Sequence, residues 1–321
     1  MSYISVVGSI NIDVVLRVRR HPRPGETIHG HGVVYQPGGK GANQAVAAAR
    51  AGANVRMYGA LGNDEFANTL NAALRRDGID IAYVQAFEGE SGIAFVSVDE
   101  LGENTIIVAA GANGRLTTEM LREAVNNGMF SGVDTLLVQN EIPADVSLYA
   151  MQTAHAAGIH VILNPAPVAG VSLDWLMYVD TLVVNETEAE ALTGIAPTTD
   201  IEAVIASLLE AGAREVIITL GTKGAVYAAP GDGGGGQGAL NSNGMTLIFQ
   251  PSFQVNALDS TAAGDTFVGA FAAARSEEMD IRQALRFASA AAAVTVTRNG
   301  AQNAIPTRRE IDSLLVGEST H

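Results

Sequence analysis

Short runs of β-branched residues, each followed by a longer Ala-rich or amphipathic run, recur along most of this chain, and that alternation constrains the fold. Strands are expected over 4–8, 55–59, 135–138, 160–163, 181–184 and 215–219, with helices at 42–51, 64–77, 145–157, 186–193 and 201–211. Parallel strands need a crossover of helical length, so this rhythm predicts a mainly parallel sheet covered by helices on both faces. Two Ala-rich helices are expected at 264–275 and 281–297, then a loop and a last short helix from Thr307. Two segments break the pattern. Residues 11–35, around His21-Pro-Arg-Pro-Gly25, and 92–108, turning at 99–104, alternate apolar and polar without a helix. They read as a small sheet with one wet face, a lid drawn from about 11–37 and 92–110. The stretch 230–244, with four consecutive glycines, is expected to be a mobile surface insertion.

Charge and composition narrow the function. The sum 19 − 34 gives −15, which excludes a basic footprint for nucleic acid, so any phosphate must be held by backbone N–H groups and a few cations. The absence of cysteine excludes disulfides, thiolate metal sites and a cysteine nucleophile. No run approaches the ~18 apolar residues of a membrane span, and the start lacks signal-peptide character, so a cytoplasmic protein is expected. Common glycine motifs fail as well. Gly39-Lys40 is followed by Gly41, and Val34 stands where a Walker A loop needs glycine. Gly8-Ser-Ile-Asn11 does not make a dinucleotide fingerprint, and His29-Gly-His31 lacks a third metal ligand.

Five segments can carry chemistry. Asp259-Ser-Thr-Ala-Ala-Gly264-Asp265 is a turn of the smallest residues opening onto a helix, where free N–H groups suit an anion. Asp265 there is either a base beside a phosphoryl group or a helix cap. Gly38-Gly39-Lys40-Gly41-Ala42-Asn43-Gln44 offers donors to a polyol from Lys40 and Asn43, or is a plain helix start. Asn11-Ile-Asp13 and Glu141 follow strands and land at the carboxyl edge, where ligands of open parallel sheets bind; either is equally a turn residue. Asn185-Glu-Thr-Glu188 is a nucleotide turn or a capping box, and Thr219-Leu-Gly221-Thr-Lys223-Gly224 is a second glycine-rich turn at a strand end.

In this order, these segments resemble the ribokinase type of phosphofructokinase-B-like carbohydrate kinases. Gly-Gly-Lys-Gly-Ala-Asn-Gln-Ala at 38–45 and Asp-Ser-Thr-Ala-Ala-Gly-Asp-Thr-Phe at 259–267 are the most specific. Asn-Glu-Thr-Glu-Ala-Glu at 185–190, Gly111-Ala-Asn113 and Arg298-Asn-Gly-Ala-Gln302 support them. The resemblance implies one three-layer α/β/α domain over 1–321 with a β lid, and ATP-dependent phosphorylation of a sugar hydroxymethyl with Mg²⁺. It implies that Asp265 is the base and that the N–H groups of Ala262, Ala263 and Gly264 form the anion hole. Asn11, Asp13, Gly39, Lys40, Asn43 and Glu141 would bind ribose. Asn185, Glu188, Thr219, Gly221, Lys223, Gly224, Gly264 and Ser289 would line the nucleotide site, with Glu188 organising Mg²⁺. A K⁺ ion would lie among Asp259, Thr261, Thr295, Arg298, Gly300 and Ala304, mostly on backbone carbonyls. The resemblance also implies a homodimer through the lid. Two positions depart from the family pattern: Ser289 stands where relatives often carry His or Asn beside adenine, and Ala304 where some have Ser. The leading substrate is D-ribose. The alternatives are a sibling kinase acting on 2-deoxyribose, another pentose, fructose or a nucleoside such as adenosine, and a sugar-binding protein without turnover.

Overall fold

The structure is a computed structural model, described over residues 2–100, 104–231, 239–240 and 244–317. Most of the insertion expected at 230–244, and half of the turn expected at 99–104, lie outside the described residues. One sheet of nine strands runs in the order Ala239–Leu240, Met245–Pro251, Gly224–Pro230, Glu215–Thr219, Thr181–Asn185, His160–Leu163, Val133–Val138, Tyr3–Val7, Asn54–Tyr58. The last six are parallel. Val6, Val7, Leu136, Leu137, Val138, Ile217 and Ile218 have no exposed surface, which is why these strands read as unbroken apolar runs.

The other three strands are antiparallel, and the sequence reading did not contain them. Only the short turn Gly221–Lys223 separates Glu215–Thr219 from Gly224–Pro230. That leaves no length for a crossover helix, so the chain must double back. The helix Thr118–Asn126 is also additional, although its cap was readable: the Thr117 side chain accepts the Met120 N–H at 3.3 Å.

Helices cover both faces of the sheet. Lys40–Arg50, Ala263–Ser276 and Ile281–Val296 enclose one apolar core, and Thr118–Asn126, Ala144–Ala156 and Pro197–Glu210 enclose the other. This is the three-layer arrangement the alternation implies. Within the first layer, Lys40–Arg50 and Ala263–Ser276 pack backbone to backbone. A Cβ at Gly269 would lie 2.4 Å from the Gln44 carbonyl oxygen and 2.6 Å from the Ala47 Cβ, so only glycine fits the crossing.

A second sheet, in the order Gly30–Gly38, Asn11–Val18, Gly92–Val98, Asn104–Ala109, forms the lid. Its central pair is parallel and both outer pairs are antiparallel. The chain leaves the core at Val7, enters the lid at Asn11, and returns through Gly38 into the helix Lys40–Arg50. This first half of the lid therefore begins and ends at the carboxyl edge of the core sheet, beside the strand Tyr3–Val7. The next core strand, Asn54–Tyr58, is added on one side of it and the later ones, from Val133–Val138 on, on the other, which makes it the topological switch point.

Replacing a helix-interior glycine by alanine usually stabilises by ~1 kcal/mol. At the Gly269 crossing, overpacking reverses the sign, and Gly269→Ala is expected to lower stability by about 1–3 kcal/mol. A urea midpoint at or above that of the unaltered protein would contradict this account.

Candidate active site

Asp265 lies in the first turn of the helix Ala263–Ser276 and is only 8% exposed. No side chain caps that helix, and Ala262 before it takes a left-handed conformation with φ 60°. The Asp265 carboxylate is not spent on a cap. Its Oδ2 accepts from Asn43 Nδ2 at 2.9 Å and its Oδ1 from Gln44 Nε2 at 3.1 Å, both on the helix Lys40–Arg50. Of the expected anion-hole donors, the Ala263 N–H points to the Ser260 carbonyl at 3.2 Å. Beside Gly264 the space is open, since a Cβ there would meet nothing within 4 Å. First-turn N–H groups of a helix lack intrahelical partners, so this end can receive an anion.

The lid entry supplies the second wall. Asn11 is 2% exposed and Asp13 is 8% exposed. Fully buried Asn113 fixes the Asn11 amide: its Nδ2 donates to Asn11 Oδ1 at 2.8 Å and to the Ile10 carbonyl at 3.1 Å, while its Oδ1 accepts the Ile10 N–H. With its oxygen engaged, Asn11 keeps its NH₂ for a ligand oxygen. Glu141 Oε2 accepts from Ser9 Oγ at 2.6 Å and from the Lys40 N–H at 3.1 Å, tying together the ends of two parallel strands and the helix start. Gly39 makes that start with φ 87°, and a Cβ there would lie 2.8 Å from the Asn11 nitrogen.

Electrostatics join these groups. Burial, with the charges of Glu141 and Asp265 and against that of Lys40, pushes the Asp13 carboxyl up to about 7. For Lys40 burial opposes the charge, but Asp265, Glu141, Glu188 and Asp13 outweigh it and raise its pKa. One ammonium therefore serves four acids. The arrangement offers amide and ammonium donors and carboxylate acceptors to a molecule with several adjacent hydroxyls.

In the segment expected to meet the nucleotide, Asn185 and Glu188 do form the capping box: Glu188 N–H to Asn185 Oδ1 is 2.8 Å and Asn185 N–H to Glu188 Oε2 is 2.9 Å. Glu188 is nevertheless half-buried and feels Lys40 and Asp265; burial raises its pKa, partly offset by the Asn185 N–H and Lys40. Thr219 ends its strand, Gly221 and Gly224 have φ 55° and 118°, and Lys223 is largely exposed, 3.7 Å from Glu186. Ser289 is buried within Ile281–Val296. Among the described residues no hydrogen bond or ion pair joins Thr219, Lys223 or Ser289 to the Asp265 group.

In the expected cation loop, Asp259 Oδ1 accepts from the Thr261 N–H and hydroxyl, at 2.9 and 2.6 Å, and Oδ2 from the Gly300 N–H at 2.9 Å. Burial works against the Asp259 charge, but these donors hold its carboxyl below the usual range. Thr295 is buried, with its hydroxyl 3.1 Å from that of Thr266; Arg298 pairs with Glu310, Gly300 has φ 94°, and Ala304 is fully buried. Gln302 in the same loop has a buried Oε1 without a partner among the described residues.

Gln44, Asn113, Gln139 and Asn164 were not singled out from the sequence as functional. A signal existed for two of them, because Gln139 and Asn164 are each the first residue after a parallel strand.

The profile of the pfkB family carbohydrate kinases matches residues 1–308. The chain belongs to this family, and it is a carbohydrate kinase. Within that class its likeness is to ribokinases. It is 40% identical to the ribokinase of Haemophilus influenzae over 310 residues, 96% of each chain. The ribokinase structure from Thermotoga maritima superposes with a TM-score of 0.84 at 37% identity, covering 98% of this chain and 100% of that one. An Arabidopsis thaliana ribokinase solved with ribose and ATP gives a TM-score of 0.82 at 30% identity, over 98% and 99% of the two chains.

The raised Asp13 value makes a stability prediction. Its contribution is fully present below the ordinary aspartate range near 4 and is lost progressively as pH rises to about 7. Asp13→Asn is therefore expected to gain stability relative to the unaltered protein as pH rises from about 4 to about 7, while losing sugar affinity. Denaturation midpoints whose difference stays constant across that window would refute it.

Proposed function

We propose that this kinase transfers the terminal phosphoryl group of ATP to the 5-hydroxyl of D-ribose, giving ribose 5-phosphate and ADP. One observation carries the reading: a buried carboxylate, Asp265, held by two amides at the foot of an uncapped helix, beside the polyol-binding set of Asn11, Asp13, Lys40, Asn43 and Glu141. The likeness to ribokinases along the whole chain supports ribose as the sugar.

Asp265 takes the proton of the 5-hydroxyl as its oxygen bonds to phosphorus, and the bond from phosphorus to the bridging oxygen of ADP breaks. Negative charge that gathers on the transferring group faces the N–H groups of Ala262 and Gly264 and the helix dipole, with the Ala263 N–H joining them if it leaves the Ser260 carbonyl. Asn185, Thr219, Gly221, Lys223, Gly224 and Ser289 hold the nucleotide. Glu188, through water, would hold Mg²⁺, which neutralises phosphate charge. The oxygen donors around Asp259, Thr261, Thr295, Arg298, Gly300 and Ala304 include no thiolate or imidazole, which suits a hard monovalent cation such as K⁺. That ion would add positive field beside the anion hole. The need for ATP and the acidic, cysteine-free sequence support a cytoplasmic enzyme.

The lid supports a homodimer. Val33, Val34, Phe95, Ile106, Ile107 and Val108 are all about half-exposed or more, an apolar concentration on one small sheet that water disfavours. Neighbouring residues on a strand point to opposite faces, so a second copy of this chain packed on the sheet would cover those on the face it meets. Ile107→Glu is expected to shift sedimentation at micromolar concentration from dimer to monomer; a monomeric unaltered protein would sink the dimer.

The function is tested by ADP release with ATP, Mg²⁺ and D-ribose, with and without K⁺, against 2-deoxyribose, fructose and adenosine. Ribose is expected to lead and to respond to K⁺. A site that bonds a particular hydroxyl rejects the analogue lacking it, so 2-deoxyribose turnover equal to that of ribose would displace the substrate. Asp265→Asn is expected to lose roughly 10²–10⁴-fold in kcat with ribose binding retained. An active variant would remove Asp265 as the base.

A further inference from the structure

The base sits at the end of a chain of buried amides whose polarity is fixed from one point. Asn164 Nδ2 lies 2.9 Å from the Val183 carbonyl oxygen, which can only accept, so Asn164 must turn its NH₂ there and its Oδ1 away. That Oδ1 lies 3.0 Å from Gln44 Nε2, which obliges Gln44 to present its own NH₂. The two hydrogens of that NH₂ are then both used, one on Asn164 Oδ1 and one on Asp265 Oδ1 at 3.1 Å. Gln44 Oε1, facing the other way, accepts from Gln139 Nε2 at 2.6 Å. Gln44 and Gln139 have no exposed surface, and Asn164 is 9% exposed, so water does not offer these groups alternative partners.

We infer that Gln44 is a positioning residue for the phosphoryl transfer. It acts through Asp265 and holds that carboxylate with Oδ1 turned to the amide chain, ready to take the sugar proton. The inference rests on the assignment of Asp265 as the base. Asn43 holds Oδ2 but stands beside the sugar set, whereas Gln44 lies behind the carboxylate and is shielded from solvent. Hydrogen bonds to the charged form of an acid favour that form, and in a buried site an unmatched acceptor is costly. A flipped Gln44 would set its oxygen against both Asp265 and Asn164. The Val183 carbonyl, on a neighbouring parallel strand, thereby fixes which donor faces a carboxylate on another element.

The isosteric change Gln44→Glu tests this. It keeps the packing volume but places an acceptor against Asp265 Oδ1. Two such close carboxyls cannot both ionise, and the pair retains a proton. The acid limb of the kcat–pH profile should move up by about one unit or more, with kcat restored towards high pH and the ribose KM little changed. Gln44→Met, which removes the donor without adding charge, should lower kcat by about tenfold or more with little change in KM. A purely structural role would alter the thermal midpoint of either variant but leave the pH profile in place. A second readout needs no turnover: ¹³C NMR of labelled aspartate, with the Asp265 resonance assigned by its loss in Asp265→Asn. The Asp265 carboxyl should titrate higher in Gln44→Glu than in the unaltered protein. An unchanged titration would overturn the role of Gln44. A shifted titration in a protein that turns over no ribose would uphold it and count against the substrate instead.

Discussion

The close crossing of Lys40–Arg50 over Ala263–Ser276 is the constraint on which the rest depends. Gly269 allows the Gln44 backbone and Ala47 to come nearer than any side chain would permit. That proximity sets Asn43 and Gln44 at hydrogen-bonding distance from Asp265. The Ala-rich character of both helices is thus more than helix propensity, because small residues are what allow two rigid elements to carry one carboxylate between them. Longer side chains at the crossing would still bury apolar area, but the base would lose its donors.

Charge is the second organising theme. The chain is acidic overall, and its site gathers four acids around a single lysine. In the free protein that crowding is relieved by holding Asp13 partly protonated near neutrality, with burial as the leading cause. A sugar brings hydroxyl donors that an ionised carboxylate can use, so ligand relieves what folding alone leaves strained. The helix end at Ala263 has no side-chain cap, and backbone dipoles there can receive an anion in place of basic side chains.

Much of this was legible in the sequence because it depends on local patterns. The six parallel strands follow from β-branched runs, and the helix starts at Lys40 and Ala263 from their small-residue motifs. The edge strands Gly224–Pro230 and Met245–Pro251 were not legible, since their pairing is decided by the absence of room for a crossover helix. Nor were the roles of Gln44, Asn113, Gln139 and Asn164. Their meaning lies in contacts across 95 to 221 positions of sequence, as for Gln139 with Gln44 and Gln44 with Asp265. Conversely, the Asn185–Glu188 spacing was legible twice over, as cap and as ligand, and a half-buried Glu188 within reach of the Lys40 field is compatible with both.

The lid strand Asn11–Val18 has a double life. Its first residues are buried with the sugar set, while its outer part belongs to a sheet whose faces carry exposed valine, isoleucine and phenylalanine. Since a strand paired on both sides moves as a plank, any tilt of the outer sheet is transmitted to Asn11 and Asp13 at its root. The lid joins the core at four crossings, near residues 8–10, 39, 87–91 and 110, and the first two flank the root of this strand. For a ligand held by Asn11 and Asp13, opening the mouth and loosening the grip would be, mechanically, a single movement.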